Sequence, residues 1–236
     1  MSISISKLLE SLNTEWINCL KNLDDKTWSK PTLYKNQTIA ENVLCLIEVY
    51  QEALINHFDA DFEELRKQII VIKTENTKNR FSLIVDLIVQ YQKAINASSL
   101  NELAVTNLYR KSWLLQQYNR QALNNTILLK SEYYIPFLNS VLSDLPKTYK
   151  NVKAWLGATV KVEIVGMPTA IYTIEKGNED WFLTKKDSSN PSALIYIDQN
   201  IAWLLFSNGI DLMDAKHYYQ IHGDAELASH VFKLRI

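Results

Sequence analysis

Glycine is scarce in this chain and unevenly placed. The 236 residues include only five glycines, and all of them lie in the last third of the chain: Gly157, Gly166, Gly177, Gly209 and Gly223. Glycine is costly inside helices and useful in tight turns between strands. This asymmetry therefore predicts a helical first part and a strand-containing second part. We place the predicted boundary near Pro146, which gives a helical domain over residues 1–146 and a smaller domain over residues 147–236.

Net charge, cysteine and long apolar runs are also in short supply. The net charge is −1 at pH 7, so no overall field favours a nucleic acid or an anionic membrane as a partner. No apolar run reaches the roughly 18 residues of a membrane span, and the N-terminus shows no hydrophobic signal core. The two cysteines, Cys19 and Cys45, are too few for a disulfide framework, which predicts a reducing, cytoplasmic location.

Apolar residues at helical spacing dominate the first domain. Thr38 and Glu41 have the spacing of a capping box, with Thr38 as the predicted N-cap of a helix from about Ile39 to Phe58. The apolar face of this helix consists of Ile39, Val43, Leu46, Ile47, Tyr50 and Leu54. Similar patterns predict helical segments at residues 3–23, 60–72, 81–95, 108–123 and, interrupted by Pro136, 127–145. Long amphipathic helices with short connections are typical of a four-helix bundle.

The sequence pattern changes after Leu156. Alternation of apolar and polar residues predicts strands at 159–165, 170–175, 181–185, 193–198 and 218–222. Short helices are predicted at 201–206 and 212–216, and Asp224 is the predicted N-cap of a last helix through Phe232. The predicted fold class is therefore α+β, with an approximately five-stranded sheet in the second domain.

Two stretches carry a resemblance to known families. Residues 28–46, WSKPTLYKNQTIAENVLCL, resemble the entry to the metal-site helix of DinB-like proteins, especially mycothiol-dependent maleylpyruvate isomerase-like proteins. The tail from Ala193, with Gly223-Asp224-x-Glu226-Leu227-Ala228 before the last helix, looks like the sterol-carrier-protein-like domain of those proteins. The resemblance implies a DinB-like four-helix bundle followed by a sterol-carrier-like α+β domain.

The resemblance also implies a divalent metal ion between the helices. Its ligands would be a His on the second helix and a Glu/His pair at i, i+4 on the fourth, a spacing that stacks two ligands on one helix face. The corresponding positions here are Cys45, Lys111 and Leu115. Leucine cannot ligate, a cationic lysine repels the ion, and one thiolate alone does not hold zinc. We therefore predict no metal and a degenerate site. The surrounding frame of the fourth helix is kept at Trp113, Arg120, Ala122 and Leu123.

The histidines do not rebuild this site in the sequence. His57 lies about 18 Å along the helix axis from Cys45, which is too far for the two side chains to share an ion. His217 and His222 fall on opposite faces of a strand if both are extended. We predict that all four histidines, His230 included, are surface or hydrogen-bonded residues.

Cys45 is the residue with nucleophile potential at the inferred site. A facing Lys111 would favour its thiolate, and a small buried thiol filling a helix interface is the alternative. Lys111 itself lies in an apolar stripe, so it either extends to solvent or faces a polar cavity. Tyr118 and Asn119 are candidates for lining a pocket there.

Three functions remain open at this point. The first is a catalytically degenerate protein with a binding or regulatory role, which follows from the lost ligand positions. The second is a transferase or isomerase that depends on a low-molecular-weight thiol, as the resemblance implies, with Cys45 and Lys111 as weak catalytic candidates. The third is a carrier of an apolar small molecule, lined by C-terminal aromatic residues such as Tyr172 and Trp203 that equally fit a core.

These readings differ in what they bind. No cofactor is predicted from the residues, whereas the family would imply a divalent metal and a low-molecular-weight thiol. A small molecule is the predicted partner, with neither a nucleic acid nor a membrane, and the sequence leaves the substrate and the oligomeric state open.

Overall fold

The chain forms two compact units. The structure is a computed structural model that describes residues 4–55, 67, 77–97, 100–186 and 188–236. The units are Met1–Thr126 and Ile127–Ile236, so the predicted boundary near Pro146 falls inside the second unit. Among the described helices, none is both long enough and apolar enough to cross a membrane.

Helices build the described part of the first unit. They are α1 (Ile5–Leu20), α2 (Asp25–Trp28), α3 (Ile39–Ile55), α4 (Thr77–Ala97) and α5 (Glu102–Ala122). Helices α1 and α3 each contact both α4 and α5. Residues 56–58 of the predicted second helix lie outside the described residues, and so does the predicted segment 60–72 apart from Lys67.

The helix starts and faces follow from the local sequence. Ser4 caps α1 by accepting a hydrogen bond from the Lys7 N–H, and Asn101 caps α5 through the Ala104 N–H at 2.9 Å. The predicted apolar face of α3 is confirmed, because its six residues are at most 4 % exposed. Burial of such faces, rather than helix propensity, supplies most of the stability of helices of this length.

Short helices precede the sheet of the second unit. A 3₁₀ turn (Ile127–Leu129) leads into α6 (Ser131–Leu142) and α7 (Leu145–Thr148). The prediction that Pro136 interrupts the helix is wrong, since α6 runs continuously through it. Proline removes one helical hydrogen bond, and the buried residues of α6 hold the helix together across that gap: Tyr133, Tyr134, Phe137, Leu138, Ser140, Val141 and Leu142.

Five strands in the described residues form one mixed sheet. They are β1 (Thr159–Val165), β2 (Ala170–Lys176), β3 (Trp181–Thr184), β4 (Ala193–Asp198) and β5 (Tyr219–Gly223). The order across the sheet is β3-β2-β1-β4-β5. The β1–β4 pair is parallel and the other pairs are antiparallel. Val160, Val162 and Ile164 of β1 lie on the buried face, which confirms the alternation predicted for this strand.

Two helices complete the described second unit. Helix α8 (Gln199–Phe206) starts at Asp198, and α9 (Ala225–Ser229) starts at the predicted cap, Asp224, and leads into a 3₁₀ turn (His230–Lys233). The helix predicted at 212–216 is wrong. Those residues form turns, with one i→i+4 bond from Ala215 N to Asp211 O. So short a segment does not repay the cost of nucleating a helix.

Candidate functional site

The stretch from Trp28 to Leu46 forms an ordered loop that delivers the chain into α3. The Ile39 N–H donates to Lys30 O at 2.9 Å, and the Thr32 N–H donates to Gln37 O at 2.7 Å. The capping box is present: Glu41 Oε2 accepts from both the N–H and the hydroxyl of Thr38, each at 2.8 Å. These hydrogen bonds lower the pKa of Glu41. The loop and the cap fix the start of the helix that carries Cys45.

Cys45 faces back towards this loop. The residue is half-buried, and its Sγ donates a hydrogen bond to Gln37 Oε1 at 3.3 Å. This contact uses the S–H as a donor, so the structure presents a hydrogen-bonded thiol. The backbone of Gln37 is hydrogen bonded within this loop, to Thr32 and Tyr34.

Lys111 lines a groove on the surface of the first unit. The groove has a volume of about 210 Å³ and also contains Val49, Glu52, Ala53, Ala104, Asn107 and Leu108. Its α3 residues lie one and two turns beyond Cys45. Lys111 was predicted either to extend to solvent or to face a polar cavity. The side chain is exposed and lines an open groove. The same groove contains the carboxylate of Glu52. The cation and the thiol therefore have different surroundings.

Leu115 lies in the core and contributes its backbone to a contact between helices. The side chain is 5 % exposed. The Leu115 carbonyl accepts a hydrogen bond from Asn42 Nδ2 at 2.9 Å, and the same amide nitrogen donates to Asn119 Oδ1 at 2.8 Å. Asn42 and Asn119 are both buried. An amide pair therefore links α3 and α5 one turn from Cys45.

Tyr118 packs beneath the loop. Its ring centroid lies 5.3 Å from that of Tyr34 at an interplanar angle of 47°, and the side chain is 1 % exposed. Tilted aromatic pairs at this separation are favourable. The pocket-lining role predicted for Tyr118 and Asn119 stays a prediction.

The residues at the inferred metal position do not fit a divalent ion. Cys45, Lys111 and Leu115 offer one thiol, one ammonium group and one alkyl side chain, whereas zinc takes three or four ligands from His, Cys, Asp or Glu. In the part of the chain that the structure describes, no three such side chains form a group that could hold a metal. The chemistry of this donor set therefore argues against metal binding here.

The histidines in the described residues have other surroundings. His222 lies edge-on to Tyr196 with ring centroids 5.7 Å apart, and His230 Nδ1 lies 3.0 Å from Lys233 Nζ. His217 is an exposed residue of a turn, and His57 lies outside the described residues.

A buried amide network is the feature that the sequence reading missed. Asn13 Nδ2 donates to Gln92 Oε1 at 2.9 Å, and Asn13 Oδ1 accepts from the Tyr50 hydroxyl at 2.6 Å and from Gln116 Nε2 at 3.4 Å. Gln92 Nε2 continues to Asn96 Oδ1 at 3.0 Å. We call Asn13, Tyr50, Gln92, Asn96 and Gln116 the Asn13 network. The sequence does contain a sign of this network, because Asn13 lies between Leu12 and Trp16 in the apolar stripe of the first helix.

The Asn13 network joins the long helices of the first unit. Its members come from α1, α3, α4 and α5. Burial raises the pKa of Tyr50, and it raises the pKa of the neighbouring Tyr91 to about 12. The Tyr50 hydroxyl therefore remains a hydrogen-bond donor at physiological pH, and the network consists of neutral groups.

The second unit has a cavity at one end of the β2–β3 hairpin. It measures about 620 Å³ and is lined by Ile171, Tyr172, Thr173, Leu183, Thr184, Lys185 and Lys186. The side chains combine apolar surface with two cations. The Tyr172 hydroxyl donates to Asn139 Oδ1 at 2.7 Å. Among the aromatic residues considered as cavity lining, Tyr172 lines this space, whereas Trp203 is a buried core residue.

Comparison with known proteins gives similarity at the level of fold. The sequence matches no protein-family profile and no curated protein. A variant of the mycothiol-dependent maleylpyruvate isomerase is similar in structure, with a TM-score of 0.51, 10% identity, and coverage of 94% of this chain and 93% of that one. This match shows a shared fold, and it confirms the predicted resemblance and α+β class at that level.

Two further solved structures are less similar. Another structure titled mycothiol-dependent maleylpyruvate isomerase has a TM-score of 0.47 at 10% identity, covering 85% of this chain and 86% of its own. A ubiquinone synthesis protein, UbiJ-SCP2, has a TM-score of 0.31 at 11% identity, covering 43% of this chain and 95% of its own.

Proposed function

We propose that this protein is a non-catalytic, metal-independent relative of the maleylpyruvate isomerases, with a binding or regulatory role. The observation that carries the proposal is the donor set at the inferred metal position. Leu115 is a core residue, Lys111 lines a surface groove, and the Cys45 thiol is hydrogen bonded to Gln37. These three side chains cannot supply the charge-neutralising ligands that a catalytic zinc site requires.

The neighbouring polar groups support the same proposal. The Asn42 amide nitrogen donates hydrogen bonds to both the Leu115 carbonyl and Asn119 Oδ1. The Asn13 network places neutral amides between the helices. Amide side chains are weak ligands beside carboxylate, thiolate and imidazole for a transition metal. The interior of the first unit is thus arranged to stabilise helix packing.

Metal binding by the full chain tests this proposal. Protein purified without chelator should contain far less than a stoichiometric amount of zinc or nickel by elemental analysis, and calorimetric titration with zinc should show no tight site. A variant carrying Cys45→His, Lys111→Glu and Leu115→His restores the implied ligand types at i, i+4 spacing. We expect this variant to bind zinc more tightly than the unaltered protein.

A matched control separates the gain from a general effect of added charge. Lys111→Glu alone introduces the carboxylate without the imidazoles and should bind no zinc tightly. A stoichiometric, tightly bound zinc in the unaltered protein, lost on Cys45→Ser, would contradict the proposal.

A thiol-dependent enzyme is the alternative function for the same residues. A thiol-dependent transferase or isomerase predicts conjugation of a low-molecular-weight thiol that Cys45→Ser or Lys111→Ala abolishes. The non-catalytic proposal predicts no turnover above the background reaction. Glutathione and an electrophilic aromatic substrate serve as the assay pair, and Cys19→Ser is the control variant.

A second candidate function is favoured by the cavity beside β2 and β3. Its volume of about 620 Å³ is in the range of small-molecule sites. Ile171 and Leu183 expose 52 % and 41 % of their surface there, and Lys185 and Lys186 add positive charge. We propose that this cavity binds a small molecule with an apolar body and an anionic group.

Binding of an amphiphilic anion checks the carrier proposal. The dye 8-anilinonaphthalene-1-sulfonate has an apolar ring system and a sulfonate, and we expect its fluorescence to rise with a saturable, micromolar dissociation constant. Ile171→Glu should abolish the saturable component. Val165→Glu changes an exposed apolar residue of the neighbouring strand β1 and should leave the saturable component intact. Equal fluorescence with all three proteins would contradict the proposal.

A further inference from the structure

Strand β3 is the last strand at one side of the sheet, and helix α7 also contacts it. The strand stands last in the order β3-β2-β1-β4-β5, and within the described residues β2 is its hydrogen-bonded neighbour. The Gly177 N–H donates to Asp180 O in the connecting turn. Because hydrogen-bonded and non-hydrogen-bonded pairs alternate in an antiparallel ladder, Phe182 bonds towards β2. The backbone groups of Trp181 and Leu183 therefore point away from the sheet.

Apolar side chains are exposed along this edge. Phe182 is 47 % exposed and Leu183 is 41 % exposed, whereas Trp181 is buried against Tyr149 at a centroid distance of 5.0 Å. The opposite edge strand, β5, instead exposes Gln220 and His222. An edge strand with exposed apolar residues and outward backbone groups is a surface for pairing with another strand.

Charges of opposite sign flank the strand. Glu179 and Asp180 precede β3, Lys185 and Lys186 follow it, and all four residues are exposed. Lys186 Nζ lies 3.6 Å from Glu175 Oε2, yet its side chain remains 77% exposed. The short strand is therefore acidic at its start and basic at its end. A strand with this polarity is complementary to a copy of itself in the antiparallel direction.

We propose that two copies of this chain pair antiparallel through β3 and form a two-fold symmetric dimer. A two-fold axis normal to the sheet keeps each face of the sheet on the same side in both copies. Two residues can then lie opposite each other only if their side chains project from the same face of the sheet. A register centred on Phe182 meets this condition. Phe182 faces the partner's Phe182, and Leu183 faces the partner's Trp181.

The same register pairs the flanking charges. The acidic turn at Glu179 and Asp180 lies beside the partner's Lys185 and Lys186, and the symmetry repeats this contact at the other end. The outward N–H and C=O groups of Trp181 and Leu183 become a hydrogen-bonded pair across the axis. Parallel pairing would bring like charges together, which is unfavourable. The charges therefore select the antiparallel dimer.

The interface is small, so a weak dimer is expected. Four-residue strands bury less than the roughly 1,200 Å² of a standard interface. We expect a weak dimer, with a dissociation constant of about 10 to 100 μM. Sedimentation equilibrium of the full chain from about 5 to 300 μM should show the monomer–dimer transition. Because the flanking charges are exposed, salt near 1 M should weaken the dimer.

Charge-reversal variants test the pairing. Glu179→Lys with Asp180→Lys makes the edge wholly basic, and Lys185→Glu with Lys186→Glu makes it wholly acidic. Each double variant alone should be at least tenfold weaker in self-association. An equimolar mixture of the two should associate again as a heterodimer. Misfolded chains would not associate specifically when mixed. Restored association therefore shows that the weaker self-association of each variant comes from its charges and not from misfolding.

Control variants distinguish this contact from general charge effects and from the cavity. Lys21→Glu with Lys26→Glu reverses two exposed charges of the helical unit and should leave the dimer unchanged. Leu183, Lys185 and Lys186 line both the cavity and the edge. Glu179→Lys with Asp180→Lys lies outside the cavity lining, so it should weaken the dimer and leave dye binding intact, which separates dimer formation from ligand binding. A monomer across the whole concentration range, a dimer indifferent to both charge reversals, or a mixture that fails to associate would each overturn the proposal.

Discussion

Asn13 uses both ends of its side-chain amide inside the helical unit. Its nitrogen donates to Gln92, and its oxygen accepts from Tyr50 and Gln116. A buried polar group with its partners in place costs little, whereas removing one partner leaves the others desolvated and unpaired. The network therefore fixes which helix faces meet, because a shifted helix would break several bonds at once.

Replacing Asn13 should be costly. We expect Asn13→Ala to lower the free energy of unfolding by about 2 to 3 kcal/mol, since the groups it leaves behind lose partners in a buried site. Urea denaturation followed by circular dichroism measures the change. Ser29→Ala, which removes an exposed 3.0 Å bond to Asp25 O outside the network, should cost less than about 1 kcal/mol. Equal costs for the two variants would contradict a buried, coupled network.

The capping box at the start of α3 should be visible in the pH dependence of stability. The pKa of Glu41 is lowered in the folded protein by the two bonds from Thr38. A lowered pKa contributes stability above the unfolded value of about 4.3, and this contribution is lost as pH falls through the folded value. The stability difference between the unaltered protein and Glu41→Gln should therefore shrink as pH falls below about 5.

Thr38 is the uncharged partner in the same capping box, and replacing it tests the box without changing a charge. Thr38→Ala removes the hydroxyl and should cost about 1 kcal/mol at neutral pH. Denaturation of both variants across the pH range measures these effects. A constant difference for Glu41→Gln down to acidic pH would contradict the role given to its carboxylate.

At the scale of residues, local chemistry was predictable and partner-dependent chemistry was not. The Thr38–Glu41 box follows from spacing alone, because both partners lie within one turn. The contact of Asn42 with Leu115 O and Asn119 joins two helices far apart in the chain. Sequence spacing identifies an amide at an interior position, but the identity of the facing group depends on the tertiary fold.

Helices α6 and α7 are held in the second unit by tyrosine hydroxyls. Tyr134 donates to Gln199 O at 2.7 Å, and Tyr149 donates to Leu227 O at 2.9 Å. Both side chains are fully buried. Each bond therefore ties a helix that precedes the sheet to a helix that follows a strand.

Removing these hydroxyls should loosen the second unit. Tyr134→Phe and Tyr149→Phe each leave a backbone carbonyl without its tyrosine donor, and we expect a loss of about 1 to 2 kcal/mol in the free energy of unfolding. Tyr218→Phe is the matched control, because Tyr218 is 48 % exposed. Guanidinium denaturation of the three variants gives the comparison. A loss no larger than that of the control would show that water replaces the bonds without cost.

Elements were predicted well where the repeat was long. The stripe of α3 and the alternation of β1 each extend over several periods, so the pattern identifies the element. Segment 212–216 offered one turn of helical spacing and forms turns instead. Pro136 is a helix breaker by propensity, yet α6 continues through it because buried residues lie on both sides of it. Tertiary burial overrides propensity in such short elements.

At the scale of the whole molecule, the two compact units differ from the predicted domains in one respect. The absence of glycine before Gly157 suggested a boundary at the change from helix to strand. Helices α6 and α7 are part of the second compact unit, although they resemble the first in composition. The composition of a segment indicates its secondary structure. Which compact unit the segment belongs to depends on the residues it packs against in the folded chain.

Fragments of the chain test where the boundary lies. We expect a fragment of residues 127–236 to fold cooperatively, because it keeps α6 with its buried Tyr134, Phe137 and Leu138. A fragment of residues 147–236 lacks these residues and should show a broad, non-cooperative thermal transition. Circular dichroism and amide chemical-shift dispersion measure the difference. Equal cooperativity in both fragments would favour the boundary near Pro146.

The two strands at the centre of the sheet, β1 and β4, run parallel and are separated in the chain by the whole β2–β3 hairpin. The antiparallel neighbours β1–β2 and β2–β3 close over short turns, but the central pair requires a long loop to close first. Contacts distant in sequence slow folding more than local ones. We therefore expect the β1–β4 pair to form after the β1–β2–β3 strands have paired. We also expect the sheet to fold more slowly than the helices that precede it.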